Sequence, residues 1–157
     1  MVNNMKKNTT KIIGWTIFIV YIAVTLYLLF FAGEMGRSHL KERYTYNLEL
    51  FKEITRFISW AKVSKAGFNA MLVNVVGNVV CFIPFGILLP LNVRRLDRFV
   101  SVMMITFIFS LLIESVQLIT RTGSFDVDDI LLNTFGGIIG YIIYRLALKV
   151  MSRKGKV

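Results

Sequence analysis

Nine polar side chains interrupt stretches that are otherwise apolar: Asn74 and Asn78, then Glu114, Gln117 and Arg121, then Asp126, Asp128, Asp129 and Asn133. A charged or amide group inside a bilayer is expensive, about 3 kcal/mol for an aspartate at a helix centre, unless it finds a partner. Such residues are therefore functional candidates. Glu114 has the chemistry of a general acid or base, and Asp126-x-Asp128-Asp129 could bind a divalent cation and through it a phosphate. Amides and carboxylates together also suit a lipid headgroup. Each has a plainer reading. Asn74 and Asn78 can glue helices together, and Asp126 and Asp128 can cap the helix that follows them. Glu114 needs a partner, and Asn74, Asn78, Asn133 and Arg121 are the candidates. Three aspartates alone are a weak metal signal.

The elements that must hold these groups follow from composition. The chain has 157 residues, 55% of them hydrophobic, with 19 basic and 9 acidic residues and one cysteine. Its mean hydropathy of +0.64 exceeds that of ordinary soluble domains. Disorder, a disulfide scaffold, a collagen-like rod and a coiled coil are excluded. Four predominantly apolar runs can each cross a bilayer core of about 30 Å at about 1.5 Å per residue: Ile12–Ala32, Gly67–Leu91, Phe99–Ile119 and Ile130–Leu148. An all-α membrane protein with four spanning helices is expected, as a single domain over residues 1–157. The first run exceeds a signal-peptide core of about 7–15 residues and lacks a clean cleavage site at Ala32-Gly33, so it reads as a retained anchor.

The basic residues set the expected orientation. Lys6, Lys7 and Lys11, then Arg94, Arg95 and Arg98, then Arg145, Lys149, Arg153, Lys154 and Lys156 all fall on one side of a four-span chain. By the positive-inside rule both termini are cytoplasmic, in a multi-pass protein of the cell membrane. The +10 net charge is accounted for by these flanks, and no nucleic-acid partner is expected. In the loop Gly33–Ala66, apolar residues from Asn47 onward (Leu50, Phe51, Ile54, Phe57, Ile58, Ala61) recur at helical spacing. With Trp60 they predict an amphipathic helix on the outer surface, in the headgroup region or as a lid over the bundle.

Three spans each carry one polar or small stripe: Asn74, Gly77, Asn78 and Cys81; Thr106, Ser110, Glu114 and Gln117; Asn133, Gly136, Gly137, Gly140 and Tyr144. Such stripes are satisfied by facing one another. Counting turns from the outer rim puts the polar residues in the outer half of the membrane, as a pocket open outward and floored near Asn78. Gly136-x-x-x-Gly140 reads as close helix packing, Pro84 as a helix kink, Cys81 as a small packing residue without a partner. His39 stands alone and supports no metal site. No metal, cofactor, Ser-His or Cys-His pair, P-loop or dinucleotide fingerprint is expected.

The run Asn74-Val-Val-Gly-Asn78-Val-Val-Cys-Phe-Ile-Pro84-Phe-Gly86 resembles the second-helix signature of the VanZ-like family. Glu114-Ser-Val-Gln117 and Asp126-Val-Asp-Asp129-Ile-Leu-Leu-Asn133-Thr-Phe-Gly136-Gly137 are similar to its later motifs, in the same order and spacing, with Arg121 where the family has an arginine. Asn47-Leu48-x-Leu50-Phe51 is similar to a further element, with Leu50 in place of its proline. The resemblance covers about residues 12 to 148. It implies a small membrane protein of the Gram-positive envelope that lowers susceptibility to teicoplanin-type lipoglycopeptides, and it assigns no reaction. Three functions remain open. The outer pocket could bind a membrane lipid, a lipid-linked cell-wall precursor or the lipoglycopeptide itself. A metal-dependent enzyme could act on a polyprenyl-phosphate or glycan-lipid substrate, with Glu114, Asp128 and Asp129 as its catalytic set. Or the chain could be an accessory subunit of a larger partner. The oligomeric state is open.

Overall fold

A computed structural model describes residues 2–31 and 44–154 of the chain. The expected end of the first span at Ala32, its neighbour Gly33 and the lone His39 lie outside the described residues. Within lipid a backbone can satisfy its polar groups only internally, so long apolar runs become helices. The elements in order are α1 (Val2–Phe31), β1 (Tyr46–Asn47), α2 (Lys52–Ala61), α3 (Lys65–Met71), a π-helical turn (Leu72–Val76), α4 (Gly77–Asn92), a 3-10 turn (Arg94–Leu96), α5 (Phe99–Thr120), β2 (Phe125–Asp126) and α6 (Val127–Lys154). Four helical stretches are long and apolar enough to cross a membrane: Thr9–Phe30, Lys65–Asn92, Phe99–Thr120 and Val127–Arg153. They coincide with the four expected runs. The protein is a multi-pass helical membrane protein.

The second spanning stretch has a defined start and an irregular middle. Ser64 caps α3, its hydroxyl accepting from the Gly67 amide at 2.9 Å. Gly67 lies against α2 so closely that a Cβ there would overlap the Trp60 carbonyl. The π-helical turn then closes with the Gly77 amide on the Leu72 carbonyl. Such a turn holds more residues than an α turn; Asn74 within it is exposed, whereas Asn78 beyond it is half-buried. The helix continues through Pro84 and Pro90. Pro84 has no amide to donate, and the hydroxyl of Tyr21 on α1 donates to the Cys81 carbonyl in that same turn, at 2.7 Å. Cys81, expected to have no partner, has Thr25 of α1 beside its sulfur at 3.9 Å.

α4 and α6 form the tightest pair. A Cβ on Gly86 would overlap the Gly137 carbonyl, one on Gly136 the Val79 carbonyl, and one on Gly140 the Ile83 carbonyl. The backbones meet because these positions lack side chains, the packing role expected for Gly136 and Gly140. Around this seam Phe82, Phe85, Leu89, Val102, Ile113, Tyr141 and Tyr144 form the core. Phe85 stacks on Phe109 of α5 with ring centroids 5.0 Å apart. At one end, Asp97 between the 3-10 turn and α5 accepts from Tyr141 at 3.1 Å and Tyr144 at 3.4 Å and pairs with Arg145 at 3.2 Å.

At the other end, β1 and β2 pair in parallel, with Tyr46 opposite Phe125 and Asn47 opposite Asp126. The helix expected from Asn47 therefore begins only at Lys52. Asn47 is part of a strand, and Phe51 adopts the left-handed conformation at φ 64° just before α2. Of the expected apolar face, Ile54, Phe57 and Ala61 are half-buried, whereas Leu50, Phe51 and Ile58 are exposed.

Candidate functional site

The polar stripes of α4, α5 and α6 meet at the end of the bundle where β1 and β2 pair. On α5, Thr106, Ser110 and Glu114 occupy successive turns of one face, and all three are buried. On α6, Asp129 and Asn133 are one turn apart on the face that meets them. Three contacts close the seam. The Asn78 amide of α4 donates to Asp129 at 2.6 Å. Asn133 Nδ2 donates to the Ser110 hydroxyl at 2.9 Å. Glu114 Oε2 accepts the backbone amide of Asp126 at 3.0 Å. Asn133 is 1% exposed, and its Oδ1 has no partner among the described residues. It is an acceptor left open inside the polar seam.

None of the partners foreseen for Glu114 bonds to it. The chain leaves α5 through Arg121, left-handed at φ 59°, and the Gly123 amide returns to the Gln117 carbonyl at 3.4 Å. This reversal lays Phe125–Asp126 across the end of α5, and a main-chain amide reaches Glu114 before any side chain does. The Glu114 carboxyl lies within electrostatic reach of both Asp126 and Asp129.

The three aspartates separate into distinct tasks. Asp126 caps α6: its Oδ1 accepts from the Asp128 amide at 2.9 Å and from Asn47 Nδ2 at 3.1 Å. Burial pushes the Asp126 carboxyl above the usual aspartate range, against the lowering effect of those two donors. Asp128, expected to cap α6 as well, instead caps α2. Its carboxylate accepts from the amides of Phe51 at 2.5 Å, Glu53 at 2.9 Å and Ile54 at 3.2 Å, and it is fully buried. Asp129 accepts from Asn78, its one side-chain partner among the described residues, and is half-buried. Burial also lifts the Glu53 carboxyl above its ordinary range, against the attraction of Arg56. Among the described residues, no three His, Cys, Asp or Glu side chains converge so as to hold a metal ion. Asp128, which a metal-dependent reaction would require, has both oxygens occupied by amides.

Three of the nine singled-out residues lie apart from the cluster. Asn74 is exposed and bonds back to the Ala70 carbonyl of its own helix at 2.7 Å. Gln117 donates to the Leu29 carbonyl at 3.0 Å, tying α5 to α1. Arg121 sits over the Tyr44 ring, 4.6 Å from its centroid. Asn78 does not floor an open bowl; it is paired with Asp129, and these two half-buried groups are the accessible edge of an otherwise buried seam. Asn47 is the residue that sequence reasoning left out of the site. Its Oδ1 accepts the Glu49 amide at 3.2 Å while its Nδ2 reaches Asp126, so it shapes its turn without the proline that Leu50 replaces.

A family model described as VanZ/LLP1 matches residues 18–148. This chain belongs to the VanZ/LLP1 family. It is 36% identical over 80 residues to Protein VanZ of Enterococcus faecium, a match covering 51% of this chain and 49% of that protein. The matched region thus spans about half the length of the curated relative. No solved structure matches the chain. The seam at the end of α4, α5 and α6 is built from the same three motifs that carry the family resemblance.

Proposed function

We propose that this VanZ-like membrane protein acts in the Gram-positive cell envelope, where it lowers susceptibility to teicoplanin-type lipoglycopeptides by holding a lipid or lipid-linked group at the polar end of its bundle. The observation that carries this reading is the Asn78–Asp129 pair. It is the accessible edge of a seam whose other acidic members are buried and committed to main-chain amides. Asn78 supplies donors, Asp129 a carboxylate, and the open Oδ1 of Asn133 lies one turn deeper along α6. Polar groups gathered among apolar helices in this way suit a ligand with a hydrogen-bonding head and an apolar tail. In this reading the seam faces the outer leaflet, both termini are cytoplasmic, and α2 lies at the membrane surface above it.

The test uses a susceptible Gram-positive host carrying this chain or its Glu114→Gln variant, with membrane levels compared first. Wild type is expected to protect against teicoplanin and not against vancomycin. Glu114→Gln keeps an acceptor for the Asp126 amide but removes the buried acid, and is expected to insert normally and lose the protection. A well-inserted wild type that leaves teicoplanin sensitivity unchanged would overturn the proposal.

A further inference from the structure

At the end of the bundle opposite the polar seam, an open cavity of about 510 Å³ is lined by Asp97, Arg145, Leu146, Leu148 and Lys149. Its depth follows from the helix. At about 1.5 Å per residue, Arg145 and Lys149 stand about 27 and about 33 Å along α6 from Val127, on either side of a hydrocarbon thickness of about 30 Å. The cavity therefore sits at a headgroup boundary, with its leucines exposed where acyl chains begin.

The charges there are asymmetric. Asp97 is occupied by Tyr141, Tyr144 and Arg145, and only Nη1 of Arg145 takes part in those bonds. Lys149, one helical turn beyond Arg145, has no ion-pair partner among the described residues. The lining thus holds two cations against one acid, which leaves one positive charge uncompensated. Arg94, Arg95 and Arg98 flank Asp97 in the chain, and none of them forms an ion pair among the described residues.

From this geometry we infer that the cavity between the Asp97 loop and the end of α6 is a binding site for an anionic phospholipid, with the headgroup phosphate on Lys149 and the free face of Arg145 and an acyl chain along Leu146 and Leu148. One phosphodiester matches the one spare charge of the cavity lining. The Asp97 bonds hold Arg145 in place, so Lys149 is the variable contact. Basic pockets at the ends of membrane helices recognise anionic headgroups in this way, at about fivefold in affinity per cation near the surface.

The test is native mass spectrometry of the full chain in detergent, titrated with dioleoyl phosphatidylglycerol and, separately, dioleoyl phosphatidylcholine. Phosphatidylglycerol is expected to bind about fivefold more tightly, and Lys149→Gln to remove about that factor. Lys149→Arg should keep the preference, and so should Lys65→Gln at the other end of the bundle. Equal binding of the two lipids, or an unchanged preference in Lys149→Gln, would overturn the inference. Displacement by free glycerol phosphate would overturn it too, since the site would then read phosphate without needing a lipid tail.

Discussion

Asp128 illustrates how one carboxylate can organise a surface. It takes three amides from a segment 74–77 residues earlier in the chain, and so holds Phe51 in a left-handed conformation that an L-residue otherwise adopts at a cost of about 1–2 kcal/mol. Asp128→Ala leaves those donors without an acceptor and is expected to cost about 1–2 kcal/mol, as loss of a helix cap does. Amide hydrogen exchange checks this: the amides of Phe51, Glu53 and Ile54 should exchange faster in the variant. Asp128→Asn, with one accepting oxygen instead of two, should fall between. Unchanged exchange would show that α2 is held by other contacts. The candidate acids and amides were legible in the sequence, because a polar side chain within an apolar run stands out by type. Their partners were not. Glu114 and Asp128 both bind main-chain amides, which every residue but proline carries and which leave no mark in a sequence.

The packing of α4 on α6 depends on missing side chains. Gly86→Ala would drive a Cβ into the Gly137 carbonyl, an atom that cannot rotate aside. An overpacked seam costs about 1–3 kcal/mol, so the variant's thermal midpoint in detergent should fall clearly. Gly77→Ala is the matched comparison. Its added Cβ would meet the Leu72 carbonyl at 3.5 Å, an ordinary contact, and the midpoint should stay near that of the wild type. Equal midpoints for the two variants would deny the seam its role. The four spans were readable because a bilayer leaves a 20-residue apolar run little choice but helix. The π-helical turn was not readable, since no residue type announces it, and Asn74 within it bonds to its own helix while Asn78 reaches Asp129. The two-residue β1–β2 pair was equally hidden, because it joins segments on either side of two spanning helices.

Taken whole, the molecule has two differently built ends. One is acidic and amide-rich, stitched shut by Asp126, Asp128 and Glu114, with Asn78 and Asp129 at its edge. The other is basic, fastened by Asp97 to Arg145 and two tyrosines. The convergence of the polar stripes was foreseeable, since three helices each with a single polar face can only satisfy them together. That the cluster would be closed rather than open depended on α2 and the strand pair folding over it, which helical periodicity does not describe. The function is proposed to rest on the accessible Asn78–Asp129 edge. Asp129→Asn tests it most directly, since it removes the charge while keeping the shape. The measurement is teicoplanin sensitivity of a susceptible Gram-positive host that carries wild type or Asp129→Asn at equal membrane levels. Protection by the wild type and none by the variant is the expected result. Full protection by Asp129→Asn would contradict it.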